Sequence, residues 1–288
     1  MNNPRLAHVS CLGARGLHRM AYWEWGAADN PRVVVCVHGL SRQGRDFDTL
    51  ARELSADYRV VCPDVVGRGQ SDWLIDSMGY GIAQYVADMV TLVARLNVAQ
   101  VDWVGTSMGG LIGMMLASLP NTPVRRLVLN DVGPVIQPVA LKRIGTYLGV
   151  PAHWATEEEA ADALWAISQG FGPHTREEWL ALTRPQLKAD GAGFKPHYDP
   201  AIAVPVRAMT AEMAAAGEVV LWAAYDRITA PTLLLRGALS DLLSADTALA
   251  MTQRGPRALL HDLPGVGHAP TLVAADQRAA VREFLHGR

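Results

Sequence analysis

The sequence predicts an α/β fold, a mostly parallel sheet flanked by helices, with one helical insertion. Three observations support that reading. Short apolar runs alternate with longer segments whose apolar residues recur at helical spacing, the pattern of strands joined by crossover helices. Most of the runs are apolar at consecutive positions, as strands covered by helices on both faces must be. One long central stretch keeps helical periodicity but offers no convincing strand.

Taken in order, RLAHVSCLG (5–13) and HRMAYWEWG (18–26) predict an antiparallel hairpin at one sheet edge. RVVVCVH (32–38), YRVVCPD (58–64), VDWVGT (101–106), RRLVLND (125–131), PTLLLRG (231–237) and RALLHDL (257–263) are the remaining sheet strands. Between and after them, YGIAQYVADMVTLVARLN (80–97) and TLVAADQRAAVREFLHG (271–287) carry apolar residues on one helical face, and the second stops at a glycine. From Gln137 to Arg227 the rhythm changes to amphipathic pieces separated by Pro and Gly: ALKRIGTYLG, TEEEAADALWAISQG, TREEWLALTRPQL and EVVLWAAYDRI. A structureless excursion of that length is implausible in a compact domain, so residues 137–227 read as a helical cap over a core made of 1–136 and 228–288. Thr156 and Thr175, each with acidic residues close behind, mark the firmest helix starts in the cap.

Composition narrows the function classes. A net charge of −2 over 288 residues, with no long run of one sign, gives no electrostatic case for nucleic acid or an anionic membrane. The expected partner is a small molecule, and the expected state a monomer or homodimer. The N-terminus lacks the basic and apolar regions of a signal peptide, and no stretch approaches the ~18 apolar residues of a membrane span, which predicts a cytoplasmic protein. Cys11, Cys36 and Cys62 are too few and too scattered for a disulfide framework or a zinc site. Neither a G-x-G-x-x-G fingerprint, a P-loop nor an H-E-x-x-H motif is present, so no cofactor and no metal are expected.

The chemistry concentrates at Gly105-Thr106-Ser107-Met108-Gly109, where VDWV turns into the helix-like GGLIGMMLASL. A G-x-S-x-G turn between strand and helix holds its serine in strained backbone geometry with the hydroxyl projecting from the sheet. The N–H after the serine lies at a helix start, where the dipole favours negative charge. Downstream, in the order Ser, Asp, His, come Asp241 in the loop after PTLLLRG and His268 in the loop after RALLHDL. His38-Gly39 ends another strand, and PDVVGRGQSD follows the next.

With these five motifs in this order, the sequence resembles the α/β-hydrolase fold family over nearly the whole chain outside the cap. The resemblance implies Ser107 as nucleophile, with His268 taking and returning its proton and Asp241 orienting the imidazole. It also implies two oxyanion-binding N–H groups, those of Leu40 and Met108, with Ser41 as the alternative to Leu40. Asp131 also ends a strand and is the competing acid; Asp246 and Asp262 read as a helix start and a strand end. His38, Asp64, Arg68 and Asp72 read as groups that fix loops.

Within that family the expected reaction is hydrolysis of carboxylic esters with uncharged, apolar, short to medium acyl groups, and aliphatic oligoesters are its extension. Serine at the elbow argues against family members that use an aspartate nucleophile. Hydrolysis of C–C bonds in vinylogous diketones, lactone hydrolysis, cofactor-free haloperoxidase chemistry and a receptor with a residual triad remain the alternatives. Trp154, Trp165, Trp179, Trp222, Met209 and Met213 in the cap suggest an apolar chamber above Ser107, although aromatic residues at helical spacing are usually core.

Overall fold

The computed structural model describes residues 3–287. β1 (Arg5–Gly13) and β2 (Gly16–Trp25) form the edge hairpin; β3 (Val33–Val37), β4 (Arg59–Pro63), β5 (Val101–Thr106), β6 (Val124–Asn130), β9 (Thr232–Gly237) and β10 (Leu259–Leu263) follow. They build one eight-stranded sheet in the order β1-β2-β4-β3-β5-β6-β9-β10. β1, β2 and β4 pair antiparallel, and every other neighbouring pair is parallel. The α/β-hydrolase fold read from the sequence is therefore the fold observed, and the strands lie within one or two residues of their predicted bounds.

Helices cover both faces because the strands alternate between two cores. Val35, Trp103, Leu127 and Leu234 point toward α2 (Ile82–Leu96) and α3 (Met108–Ala117). Val34, Cys36, Val104 and Leu235 point toward α1 (Asp48–Leu54) and α10 (Ala275–His286). Cys36 and Cys62 are fully buried parts of the second core. Trp103 stands under the site: it is fully buried, its Nε1–H donates to the Gly109 carbonyl at 3.0 Å, and Gly113 leaves room for its ring. Truncating such a side chain to alanine costs about 3–5 kcal/mol.

The insertion contains α4 (Pro138–Tyr147), α5 (Glu157–Ser168), α6 (Arg176–Thr183), the hairpin β7 (Leu187–Asp190) and β8 (Gly193–Pro196), and α7 (Ala203–Arg207). Thr156 caps α5 by accepting from the Glu159 N–H, and Thr175 with Glu178 forms a full capping box on α6. The β7–β8 hairpin interrupts the helical insertion without a sequence signal, because LKAD and GFKP are short and lack an alternating pattern. The last helix, α8 (Ala211–Arg227), packs against α3, with Ala224 and Tyr225 buried and the Tyr225 hydroxyl donating to the Met251 carbonyl at 2.6 Å. The C-terminal half of this last helix of the predicted 137–227 insertion thus packs in the layer on the sheet. α9 (Ala245–Gln253) lies between β9 and β10. Among the described residues no helix is long and apolar enough to cross a membrane.

Candidate active site

Ser107 is the first residue past β5, at φ 52° and ψ −117°, a backbone conformation that side chains other than glycine rarely adopt. Its flanking glycines are steric necessities: a Cβ at Gly105 would overlap the Gly109 carbonyl, and one at Gly109 would overlap that of Val37. The Ser107 N–H donates to the Asn130 carbonyl at 3.0 Å, so β6 holds the turn in place.

His268, in the loop after β10, stands with Nε2 3.0 Å from the Ser107 hydroxyl. Its Nδ1 lies 2.8 Å from Oδ2 of Asp131, not from Asp241. Asp131 is fully buried immediately past β6, at φ 56°, where its carboxylate also accepts the Gly237 N–H at 2.8 Å and the Ser240 hydroxyl at 2.6 Å. A carboxylate can only accept, so the imidazole proton belongs on Nδ1 and the free lone pair of Nε2 faces the serine O–H. This order of groups can carry a proton from the serine to the histidine and back.

Asp241, predicted as the acid, sits elsewhere. Its carboxylate takes Nε and Nη2 of Arg143 on α4 at 2.7 and 2.9 Å, and this guanidinium holds it below the usual carboxylate range. The physical reason is position. Asp131 follows the last residue of its strand directly, whereas Asp241 lies four residues past Gly237, out where the cap descends. Ser240 turns back to Asp131 instead. Asp131, the competing acid of the sequence, is the carboxylate that meets His268, while Ser240 and Arg143, which engage the two aspartates, carry no local sequence signal.

Two N–H groups border the serine. Met108 opens α3, so its N–H has no partner within the helix. Leu40 lines the cavity, and a Cβ on the preceding Gly39 would stand 3.7 Å from that of Ser107. The peptide carrying the Leu40 N–H is pinned through its other end: the Gly39 carbonyl accepts from His38 Nδ1 at 2.7 Å and from the Arg42 N–H at 3.1 Å. His38 Nε2 in turn accepts the Val65 N–H at 2.9 Å, and burial pushes this imidazole down to about 3. Arg68, fully buried, donates to the Leu40 and Val66 carbonyls and lies 3.6 Å from the Met108 sulfur. Asp64 accepts the Gly44 and Gln70 N–H groups, and Asp72 accepts that of Arg19, so these three residues do fix loops.

Above the serine lies a cavity of about 290 Å³, roofed by α4, α5 and the segment between α6 and α7. Its apolar wall includes Ile144, Val150, Leu164, Ile167, Phe171 and Leu182; its polar wall includes Arg42, Asp46, Arg143, Tyr147, Gln186 and Tyr198. Of the six aromatic and methionine residues predicted to shape the chamber, only Trp154 lines it. Trp165 and Trp179 meet edge to face in a small cluster between the insertion and Val273, Trp222 packs edge-on to Tyr225, and Met209 and Met213 are exposed. The cap is anchored beside the serine: the Gly267 N–H donates to Gly170 at 2.6 Å, and His174 bonds the Thr271 hydroxyl at 2.8 Å.

One further polar cluster lies on the edge hairpin. Cys11, His18 and Asp88 bring possible ligand atoms within 4.8 Å of one another, a proximity that their spacing in sequence concealed. Both Asp88 oxygens are already engaged, by His18 Nε2 at 3.0 Å and Gln84 Nε2 at 2.8 Å, and burial pushes the Cys11 thiol up to about 12. The cluster ties α2 to the hairpin.

Comparison with known proteins agrees with this architecture. The alpha/beta hydrolase family matches residues 34–284. The 3-hydroxybutyrate-oligomer hydrolase of Cupriavidus necator is 55% identical over 289 residues, covering 99% of each chain. An alpha/beta hydrolase from Novosphingobium aromaticivorans superposes with a TM-score of 0.87 at 34% identity, over 99% of both chains. The E-2-(acetamidomethylene)succinate hydrolase superposes at 0.82 over 99% of this chain and 100% of its own, and at 19% identity it shows the fold alone.

Proposed function

The chain belongs to the alpha/beta hydrolase family, and from that premise we propose that it hydrolyses short linear oligoesters of the 3-hydroxybutyrate type through a serine acyl-enzyme. The observation that carries the reading is the unbroken run from Asp131 through His268 to Ser107 at the floor of a capped cavity with an apolar wall. The 55% identity to a 3-hydroxybutyrate-oligomer hydrolase supports the choice among esters.

In this mechanism His268 Nε2 removes the Ser107 proton as the hydroxyl oxygen adds to the ester carbonyl. Asp131, already desolvated and hydrogen-bonded, stabilises the imidazolium. The Leu40 and Met108 N–H groups receive the oxyanion; stabilisation of this kind is worth about 3–4 kcal/mol per donor. Collapse expels the alcohol fragment, which takes the proton from His268. Water then repeats the sequence against the acyl-enzyme and frees the acid. The acyl fragment of such an oligoester is uncharged and methyl-branched, a match for the Ile144, Leu164 and Ile167 wall.

The test is turnover of 3-hydroxybutyrate dimer and trimer beside p-nitrophenyl butyrate, with Ser107→Ala as control. Multiple turnovers on dimer and trimer, and a loss of about 10³-fold or more in Ser107→Ala at unchanged melting temperature, are expected. Near-normal rates in Ser107→Ala, or a vinylogous diketone cleaved far faster than any ester, would refute the proposal.

A further inference from the structure

The geometry points to a carboxylate subsite formed by Arg143 and the hydroxyl of Tyr147, which receives the free acid terminus of the substrate on its leaving-group side. This inference rests on the oligoester reading above. Hydroxy-acid oligomers have direction. The unit that gives its carbonyl to the broken bond keeps the chain that ends in hydroxyl, so the free carboxylate always departs with the alcohol fragment. In a 3-hydroxybutyrate leaving group that carboxylate is separated by one methylene from the carbon bearing the ester oxygen. A subsite for it must therefore lie beside the histidine.

Arg143 meets that requirement. It lines the same cavity as Ser107 and His268, whereas Asp241, which grips its Nε and Nη2, is not among the lining residues. The aspartate stands behind the guanidinium and fixes its plane. Arginine has five N–H donors; Asp241 takes two and the Tyr147 hydroxyl lies within reach of the same guanidinium, so arginine and phenol form one polar edge with donors left for a ligand. Tyr147, one turn along α4, lines the cavity next to it; burial raises its phenol, which therefore stays a donor at neutral pH. Arg143 and Tyr147 share the cavity wall with His268 and Ser107. The other charged pair of the lining is self-contained: Arg42 holds Asp46 through two bonds at 2.7 and 2.8 Å, and Gln186 donates a third at 2.8 Å. An anion entering the cavity thus meets the free edge of Arg143 as its cation. A guanidinium edge plus a phenol matches a carboxylate's two oxygens.

The experiment compares three substrates: the free-acid dimer of 3-hydroxybutyrate, its methyl ester and p-nitrophenyl butyrate. For Arg143→Gln, kcat/KM on the free acid should fall about 10- to 100-fold, mostly through KM, since a charge-assisted pair is lost. The methyl ester and the p-nitrophenyl ester should change less than about threefold. Arg143→Lys should recover part of the loss, and added salt should weaken only the free-acid reaction. The double change Arg143→Gln with Asp241→Asn guards against misfolding from an unpaired carboxylate and should give the same substrate split. Equal losses on acid and methyl ester, or no loss on either, would overturn the subsite while leaving oligoester hydrolysis intact. A wild-type enzyme that turns over p-nitrophenyl butyrate but neither dimer would instead overturn the oligoester reading, and the subsite with it.

Discussion

The loops after β6 and β9 each present an aspartate to the neighbourhood of His268, and the two carboxylates have opposite fates. Asp131 is fully buried, one residue past its strand, with its own N–H bonded to the Leu235 carbonyl at 2.8 Å and its oxygens filled by Gly237, Ser240 and His268. Asp241 is about a third exposed, four residues past its strand, and spends both oxygens on a cap arginine. A residue at a strand end inherits the rigidity of the sheet, and precise placement of a proton-transfer partner needs that rigidity. The longer loop is free to reach upward. The β9 loop accordingly ties cap to core, while its Ser240 still supports the acid on β6.

The largest effect expected from this contrast is in turnover. Asp131→Asn keeps shape but lets the side-chain amide face His268 Nδ1 and favours the wrong tautomer; kcat should fall about 10³- to 10⁴-fold on p-nitrophenyl butyrate. Asp241→Asn should stay within about threefold on the same neutral ester. Steady-state kinetics of the two variants, with circular dichroism to confirm folding, decide the matter, and the reverse order would return the acid role to Asp241.

The strands, the edge hairpin, the elbow turn and the loop-fixing bonds of His38, Asp64 and Arg68 were legible because each depends on local pattern. An apolar run, a G-x-S-x-G turn and an H-G dipeptide state their geometry within a few residues. The acid was not legible in the same way. β6 and β9 are adjacent strands, and both RRLVLND and PTLLLRGALSD put an aspartate at the correct end of the sheet. Position past the strand separates the two carboxylates, and the partner that Asp241 takes instead, Arg143, lies 98 residues earlier on α4, whose docking no local pattern specifies. The same applies to the chamber: Trp165 and Trp179 pack edge to face on each other, and of the four tryptophans only Trp154 lines the cavity.

His38 extends the contrast to a third strand end, since it directly follows β3 as Asp131 follows β6. Its folded imidazole is held neutral down to about 3, whereas an unfolded histidine takes a proton near 6.5. The unfolded chain therefore binds the extra proton first, and stability present above pH 6.5 is lost progressively as the pH falls toward 3. By pH 5 the loss amounts to about 2 kcal/mol. His38→Asn preserves a donor to the Gly39 carbonyl and cannot titrate. Urea melts at pH 7.5 and pH 5 should show a smaller drop for the variant than for wild type; parallel drops would remove His38 as the source.

A subtler test of strand-end rigidity removes the support and leaves the acid. Ser240→Ala deletes the 2.6 Å hydrogen bond to Asp131 Oδ2 while Gly237 still holds Oδ1. A hydrogen bond to a charged group contributes about 1.5 kcal/mol or more, so kcat should fall about tenfold with KM little changed. Stability assays should move less than kinetics do. A loss confined to melting temperature would show that Ser240 serves packing of the loop and leaves the acid's placement to the backbone.

The smallest expected effect is the stability carried by the Arg143–Asp241 tie itself. Both side chains are about a third exposed, and a pair so open to solvent contributes about 0–1 kcal/mol. For a chain of this size that corresponds to a melting shift of no more than about 2–4 °C in Asp241→Asn. The sign with pH follows from the lowered Asp241 carboxyl: the tie's contribution is fully present above the ordinary carboxylate pKa of about 3.9 and fades as the pH falls through the lower folded value. Melting curves at pH 7 and pH 5 should therefore show the same small gap between variant and wild type, and the gap should close only in stronger acid. A gap of 5 °C or more at pH 7 would mean that the β9 loop is a principal anchor of the cap, which would erase the difference in rigidity drawn between the two loops.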